Sequence, residues 1–190
     1  MARFLIVYGT TEGHTRKIAE QVGSWIRERG NDVDVFDSAM NPPELLDGYD
    51  AFLVAGSLHE GKHQRPLRHF VTEHAATLSR SPSAFLSVSL SAVGKDDAHR
   101  ADAQRCIDAF CNETGWMPSL TSPVAGALIY TKYDWLKRMV MRSIVRKEGG
   151  DIDTSQDYEY TDWESLRTFV DSFLRVVEAA RSRDAVGAAR

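Results

Sequence analysis

Two hydrophobic periods take turns along this chain. "FLIV", Phe4 to Val7, is an unbroken apolar run rich in branched residues, as a strand buried on both faces requires. After it, Ile18, Val22 and Ile26 recur every fourth position with Trp25 beside them, which predicts an amphipathic helix ending near Gly30. "DVDVFD", Asp32 to Asp37, predicts the next strand, and "NPPELL" a turn and a short helical piece with Pro early in it. "DAFLVAGS", Asp50 to Ser57, is a third, buried strand. Leu67, Phe70, Val71, His74 and Leu78 then mark one face of a helix over Pro66 to Leu78. "SAFLSVSL", Ser83 to Leu90, predicts a fourth strand, Lys95 to Thr114 a helix, and "VAGALIY", Val124 to Tyr130, a fifth strand. The C-terminal helix is expected from Asp162, as N-cap, to Arg181, with residues 182–190 a loose tail.

Strand–helix alternation on this scale, with no repeats or linkers, predicts one doubly wound α/β domain over residues 1–181. A ligand of such a sheet sits outside the carboxyl ends of the strands, at the topological switch point. The loops of interest are therefore Thr10 to Thr15, Ser57 to His63 and Ser89 to Asp97.

Charge and composition narrow the function. The chain has 190 residues and a net charge of −4, without the basic footprint of a nucleic-acid protein. The first apolar run is too short and wrongly flanked for a signal peptide, and no run is long enough to span a bilayer. Cys106 and Cys111 lie five apart in a helical segment with no CxxC, and read as reduced structural thiols of a cytosolic protein.

The first loop, "YGTTEGHTRKIAE", joins a buried strand to a helix N-terminus, where free N–H groups and the helix dipole favour an anion. It is not a nucleoside-triphosphate loop: three residues separate Gly9 from Gly13, and His14 stands where Lys would be. The dinucleotide pattern G-x-G-x-x-G is also absent. Hydroxyls at Thr10, Thr11 and Thr15 around a flexible Gly13, with no fixed cation, suit a single terminal phosphate; the plainer reading is a helix start after a tight turn.

The third-strand loop carries a competing pattern. "HEGKHQRPLRH", His59 to His69, matches the zinc-protease motif H-E-x-x-H with a third His at metzincin spacing. Gly61 opposes the helix that motif needs, and the segment follows directly on a buried strand. Pro66 stands where the turn requires Gly, so no metal site is assigned.

"YGTTEGHT", with the Gly-containing loop after the third strand, resembles the flavin mononucleotide site of flavodoxins. "PSAFLSVSLSAV", "VAGALIYTKYDWLKRMVM" and "EGGDIDTSQDYEYTDWESL" resemble the menaquinone-dependent protoporphyrinogen IX dehydrogenases, a flavodoxin-fold family of bacterial haem synthesis. The resemblance covers Phe4 to Phe173. It implies a flavodoxin-like five-stranded parallel sheet in the order 2-1-3-4-5, with FMN as cofactor. The phosphate would lie against Thr10, Thr11, Glu12, Gly13, His14 and Thr15. The isoalloxazine would lie between Ser57, Leu58, His59, Glu60 and Gly61 on one side and Ser87, Val88, Ser89, Leu90, Ser91 and Gly94 on the other. Neither ring loop contains an aromatic residue, unlike many flavodoxins, which leaves both ring faces more open.

Flavodoxin-like folds end soon after the fifth strand, yet here an insertion of about residues 131–160 lies after or within it. On a helix, Leu136, Met139, Val140 and Ile144 share one side, while Arg138, Arg142 and Arg146 line another near Lys132, Lys137 and Lys147. Such a basic face suits an anionic membrane surface, where menaquinone resides, or the propionates of a porphyrinogen; the plain alternative is a solvated surface helix. The expected reaction is oxidation of protoporphyrinogen IX with electrons passed to a quinone, in a cytoplasmic protein that touches the membrane peripherally. The rivals are a flavodoxin-type electron carrier and a general FMN-dependent quinone reductase. No catalytic base is assigned. His59, Glu60 and His63 lie on the right loop, but loop histidines are normally surface residues. The imidazoles of His14, His69, His74 and His99 read as structural or solvated.

Overall fold

A computed structural model describes residues 1–40, 42–59, 61–90, 92, 97–128 and 158–188. The elements in chain order are β1 (Arg3–Gly9), α1 (His14–Glu28), β2 (Asp32–Asp37), β3 (Ala51–His59), β4 (Lys62–His63), α2 (Arg65–Arg80), β5 (Ser83–Ser89), α3 (Asp97–Thr114), β6 (Leu120–Ala125), β7 (Ala127–Leu128), β8 (Tyr158–Glu159) and α4 (Trp163–Ala188).

The five long strands are parallel and lie in the order β2-β1-β3-β5-β6, which is the expected 2-1-3-4-5. The detail that differs is β4, two residues that hook back antiparallel onto β3. Alternate residues of each strand face opposite layers. Phe4, Ile6, Leu53, Leu86 and Val88 pack with Ile18, Val22 and Ile26 of α1 and with Val170 and Phe173 of α4. Leu5, Val7, Phe52, Val54 and Phe85 face Leu67, Phe70 and Val71 of α2 and Ile107 and Phe110 of α3. The four-residue period of α1 thus becomes three fully buried side chains. Each stabilises the fold by about 1.5–3 kcal/mol relative to exposure. Asp162 caps α4 as its sequence position suggests: Oδ1 accepts from the Ser165 amide at 3.0 Å and Oδ2 from its hydroxyl at 2.8 Å.

Four expectations need correction. The fifth strand is Leu120 to Ala125 rather than a run that starts at Val124, and the last two residues of the expected strand, Ile129 and Tyr130, lie outside the described residues. Within the described sheet β6 is an edge strand, paired only with β5, so it tolerates Thr121, Ser122 and Pro123, whose polarity hides it from a hydrophobic pattern. "NPPELL" forms bends and no helix among its described residues; Leu46 alone is buried there, and Leu45 is 77% exposed. The connection after β3 is a short hairpin, with Leu58 paired to His63 and His59 to Lys62 around Gly61 at φ 77°. Finally, α4 runs on to Ala188, so residues 182–188, expected to be loose, continue the helix.

The chain leaves this framework at β7 and returns at β8, which pair antiparallel outside the main sheet. That ladder brackets the segment in which the insertion is expected. Residues 129–157, including Lys132, Lys137, Arg138, Arg142 and Arg146 and the helix expected there, lie outside the described residues, as do Glu60, Ser91 and Gly94.

Candidate functional site

β1 and β3 are neighbours, but α1 and α2 that follow them pack on opposite faces of the sheet. A crevice therefore opens at their carboxyl ends, the switch point of the fold. Three loops border it.

The first runs from Thr10 to the start of α1. Gly13 stands at the N-cap in the left-handed region, φ 95°, which a side chain would strain. No N-cap side chain bonds to the helix start and no acidic residue occupies its first turn, so among the described residues of this turn no anion answers its leading N–H groups. The Gly13 amide donates to Thr10 Oγ1 at 2.9 Å, which leaves the Thr10 proton free to be donated onward. Thr15 is 1% exposed, and its Oγ1 is buried without a hydrogen-bond partner among the described residues. A buried hydroxyl left unpaired costs about 1–3 kcal/mol, so one standing beside an uncapped helix start is matched to a missing acceptor. The cations nearby are already engaged, Arg16 with Glu20 at 2.7 Å and Lys17 with Glu159 at 2.6 Å.

The imidazole of His14 faces away from this anion position. Its Nε2 lies 2.7 Å from Thr161 Oγ1, and that hydroxyl donates to the Ala125 carbonyl at 2.7 Å. A hydroxyl has one proton, so Nε2 is the donor to Thr161. Burial lowers the pKa of His14 and outweighs the opposing field of Glu159, while Lys17 adds to the lowering. His14 can thus serve an anion through its backbone N–H, while its side chain ties α1 to the strand end at β6 and the entrance of α4. The Tyr160 amide donates to the Gly126 carbonyl at 3.1 Å beside it. Glu159 accepts from Trp163 Nε1 at 2.7 Å; burial would raise its pKa, but the bonds from Lys17 and Trp163 hold it below the ordinary range. The β8 end and the entrance of α4 are therefore clasped to the helix that follows the first loop, a contact no sequence pattern signals.

The second border is the β3–β4 hairpin. Across it His59 and His63 alternate to opposite sides, so the H-E-x-x-H pattern does not bring them to one helical face. His59 is exposed. His63, expected at the surface, is 4% exposed: its ring lies edge-on to Phe85 and Phe110, centroids 5.3 and 4.8 Å away, and Nε2 is 3.0 Å from Ser87 Oγ. Burial and the nearby Arg68 push its pKa down to about 4, so it is neutral at physiological pH. The Ser87 side chain is thus engaged beneath the sheet end, and Val88 packs into the opposite core. Ser89 pairs with Ala125, and its Oγ accepts from the Ala92 amide at 3.3 Å.

Gln64, the residue before α2, joins the first two borders. Its Nε2 donates to Thr11 Oγ1 at 3.1 Å and to Ser57 Oγ. No sequence pattern flags it: a glutamine ahead of a helix has no periodicity, and its role exists only once β1 and β3 are side by side. The two cysteines take no part. Burial pushes Cys111 up to about 11, with Asp108 adding to it, and raises Cys106 as well, so both are poor nucleophiles.

A flavodoxin-domain model matches residues 5–155. The protoporphyrinogen IX dehydrogenase [quinone] of Escherichia coli (strain K12) is 32% identical over 165 residues, covering 87% of this chain and 91% of that protein. The chain belongs to the flavodoxin-fold protoporphyrinogen IX dehydrogenase family. A Leishmania major protein of the same name is also 32% identical, over 94% of this chain and 78% of its own length. Among solved structures, a short-chain flavodoxin associated with a non-canonical PDU bacterial microcompartment aligns over 93% of this chain and 99% of its own. Its TM-score is 0.57 at 13% identity, a likeness of fold alone.

Membership of this family implies a flavin cofactor. The residues present fit one: the unpaired Thr15 hydroxyl, the uncapped α1 and the left-handed Gly13 make a cradle for a terminal phosphate at the switch point.

Proposed function

We propose that the chain binds FMN and oxidises protoporphyrinogen IX to protoporphyrin IX, delivering the electrons to menaquinone or another membrane quinone. The observation that carries this reading is the nearly end-to-end match to the Escherichia coli dehydrogenase, far longer than a shared phosphate loop would require. FMN, when bound, supplies redox chemistry that no side chain of the described site offers.

The chain's own part is binding and orientation. The amides of Glu12, His14 and Thr15 and the hydroxyls of Thr10, Thr11 and Thr15 hold the phosphate, while the Gly13 amide orients Thr10 and its left-handed turn shapes the loop. Ser57, Leu58, His59, Glu60 and Gly61 border the ring on one side and the segment from Ser87 to Gly94 on the other, largely through backbone, since Ser87 and Val88 turn their side chains into the core. His63 steadies the hairpin from below and does not meet substrate. Lys132, Lys137, Arg138, Arg142 and Arg146 serve anionic partners, the porphyrinogen propionates and the lipid headgroups where the quinone resides. Among the described residues no helix is long and apolar enough to cross a membrane. We place the protein in the cytoplasm, touching the membrane peripherally.

Steady-state assay of purified protein tests this. Porphyrinogen oxidation with a menaquinone analogue is expected. NAD(P)H oxidation with quinone instead would favour a general quinone reductase, and neither activity an electron carrier. At the cofactor, Thr15→Ala should weaken FMN by about 1 kcal/mol through one lost hydrogen bond. Gly13→Val should do worse, because a branched side chain opposes the left-handed turn and close backbone approach. Equal FMN uptake by parent and Gly13→Val would refute the loop assignment.

A further inference from the structure

Gly9 and Gly56 are paired across β1 and β3, and the missing side chains let α2 begin directly on the sheet end. A β-carbon at Gly9 would stand 2.9 Å from Gln64 Oε1 and 3.1 Å from Leu67 Cβ; one at Gly56 would stand 2.7 Å from Leu67 Cδ2. The Gln64 carboxamide is therefore packed between the first loop and the end of β3. Its oxygen is turned inward, buried and without a partner among the described residues. Its nitrogen is turned outward to two hydroxyls, Thr11 and Ser57.

This orientation is the less costly one. Reversing the amide would bury an NH2 with two unmet donors against Gly9 and Leu67, where a single carbonyl oxygen now sits, and unpaired donors are the rarer buried group. The consequence falls on the hydroxyls. Each has one proton and two lone pairs. Accepting from Gln64 commits a lone pair inward and leaves the proton to point elsewhere. Both hydroxyls are thus set as donors, the polarity that an acceptor-only phosphate and the carbonyl edge of a flavin need. Arg16 and Lys17 are already ion-paired, which leaves donor polarity to hydroxyls and amides.

We propose that Gln64 is a positioning residue that fixes the hydrogen-bond polarity of Thr11 and Ser57 toward the flavin. The proposal rests on the FMN site described above. A carboxylate at this position would reverse the arrangement by drawing both protons inward.

The test is a double-mutant cycle on FMN affinity of the full-length apoprotein, with its melting temperature followed in parallel. Gln64→Met keeps the length and removes both donors. It should raise the FMN Kd about tenfold. In a Thr11→Val, Ser57→Ala background the same substitution should change Kd by less than about twofold, because the groups it orients are gone. Gln64→Glu should weaken FMN at least as much as Gln64→Met. An equal factor in both backgrounds, or no change in the parent, overturns the proposal, the first by making Gln64 a plain strut. If Gln64→Met does not fold, Gln64→Asn, which keeps the amide but not the reach, carries the same expectations. Gly13→Val separates the two readings: if it binds FMN like the parent, the phosphate site itself is wrong, whereas its loss with an unaffected Gln64→Met overturns only the role of Gln64.

Discussion

His63 shows how one side chain can be displaced from a motif into the core. Its pKa near 4, against 6.5 for an ordinary histidine, means that protonation must desolvate a charge beneath Phe85 and Phe110. The folded value is depressed, so the stability this group contributes is complete above pH 6.5 and is lost as pH falls toward 4. At about 1.4 kcal/mol per unit, the full effect is about 3 kcal/mol. Burial lowers His14 too and adds to the same trend. Urea unfolding between pH 7 and pH 4.5 should show stability falling, and His63→Gln should flatten that slope although it is less stable at pH 7. An unchanged slope in the variant would mean that His63 is protonated in the native state at little cost.

At the scale of elements, the hairpin β3–β4 and the start of α2 depend on two glycines for space rather than for unusual dihedrals. Gly56→Ala would drive a methyl to 2.7 Å from Leu67 and 2.9 Å from His63 Cδ2, and both neighbours belong to packed elements that cannot simply rotate aside. A cost of about 1–3 kcal/mol is expected from overpacking. The shift should also separate Gln64 from Ser57, so FMN affinity should fall along with the denaturant midpoint. A variant with parental stability and parental FMN binding would show that α2 can slide freely on the sheet end. The clasp of His14 on Thr161 and of Lys17 on Glu159 is the matching device on the other face: it anchors the entrance of α4 to the first turn of α1.

For the molecule as a whole, charge is unevenly spread along the chain. The net charge is −4, yet Arg138, Arg142 and Arg146 stand four apart with Lys132 and Lys137 close by in sequence. If these cations serve substrate or membrane, changing the three arginines to Gln should lower porphyrinogen or quinone turnover and reduce sedimentation with anionic vesicles. Each basic residue near such a surface is worth about 1 kcal/mol. Vesicle binding by the parent should also weaken with salt, as screening shortens the reach of the charges. FMN affinity should stay nearly unchanged, because these arginines lie outside the three sequence loops that border the crevice. Turnover and vesicle binding both at parental levels would reduce the basic face to a solvated surface.

Apolar runs alternating with a 3.6-residue period were enough to predict four of the five long strands, the helices α1, α2, α3 and α4 and the loops that border the crevice, because those features follow from which side chains must leave water; the strand order came with the family resemblance. The Thr-rich turn at Gly13 was legible for the same local reason: a left-handed glycine and hydroxyls at a helix start act within a few residues of one another. What lay beyond reach depends on neighbours distant in sequence. Leu120 to Ala125 forms an edge strand only because β5 lies beside it. His63 is buried only because Phe110, nearly fifty residues on, closes over it. Gln64 spans Thr11 and Ser57, and His14 meets Thr161, only after β1 has been flanked by β3 and the chain has returned from the insertion. Hydrophobic periodicity records whether a residue is buried. It carries no record of which polar group will stand opposite, and in this site that choice belongs to the tertiary fold.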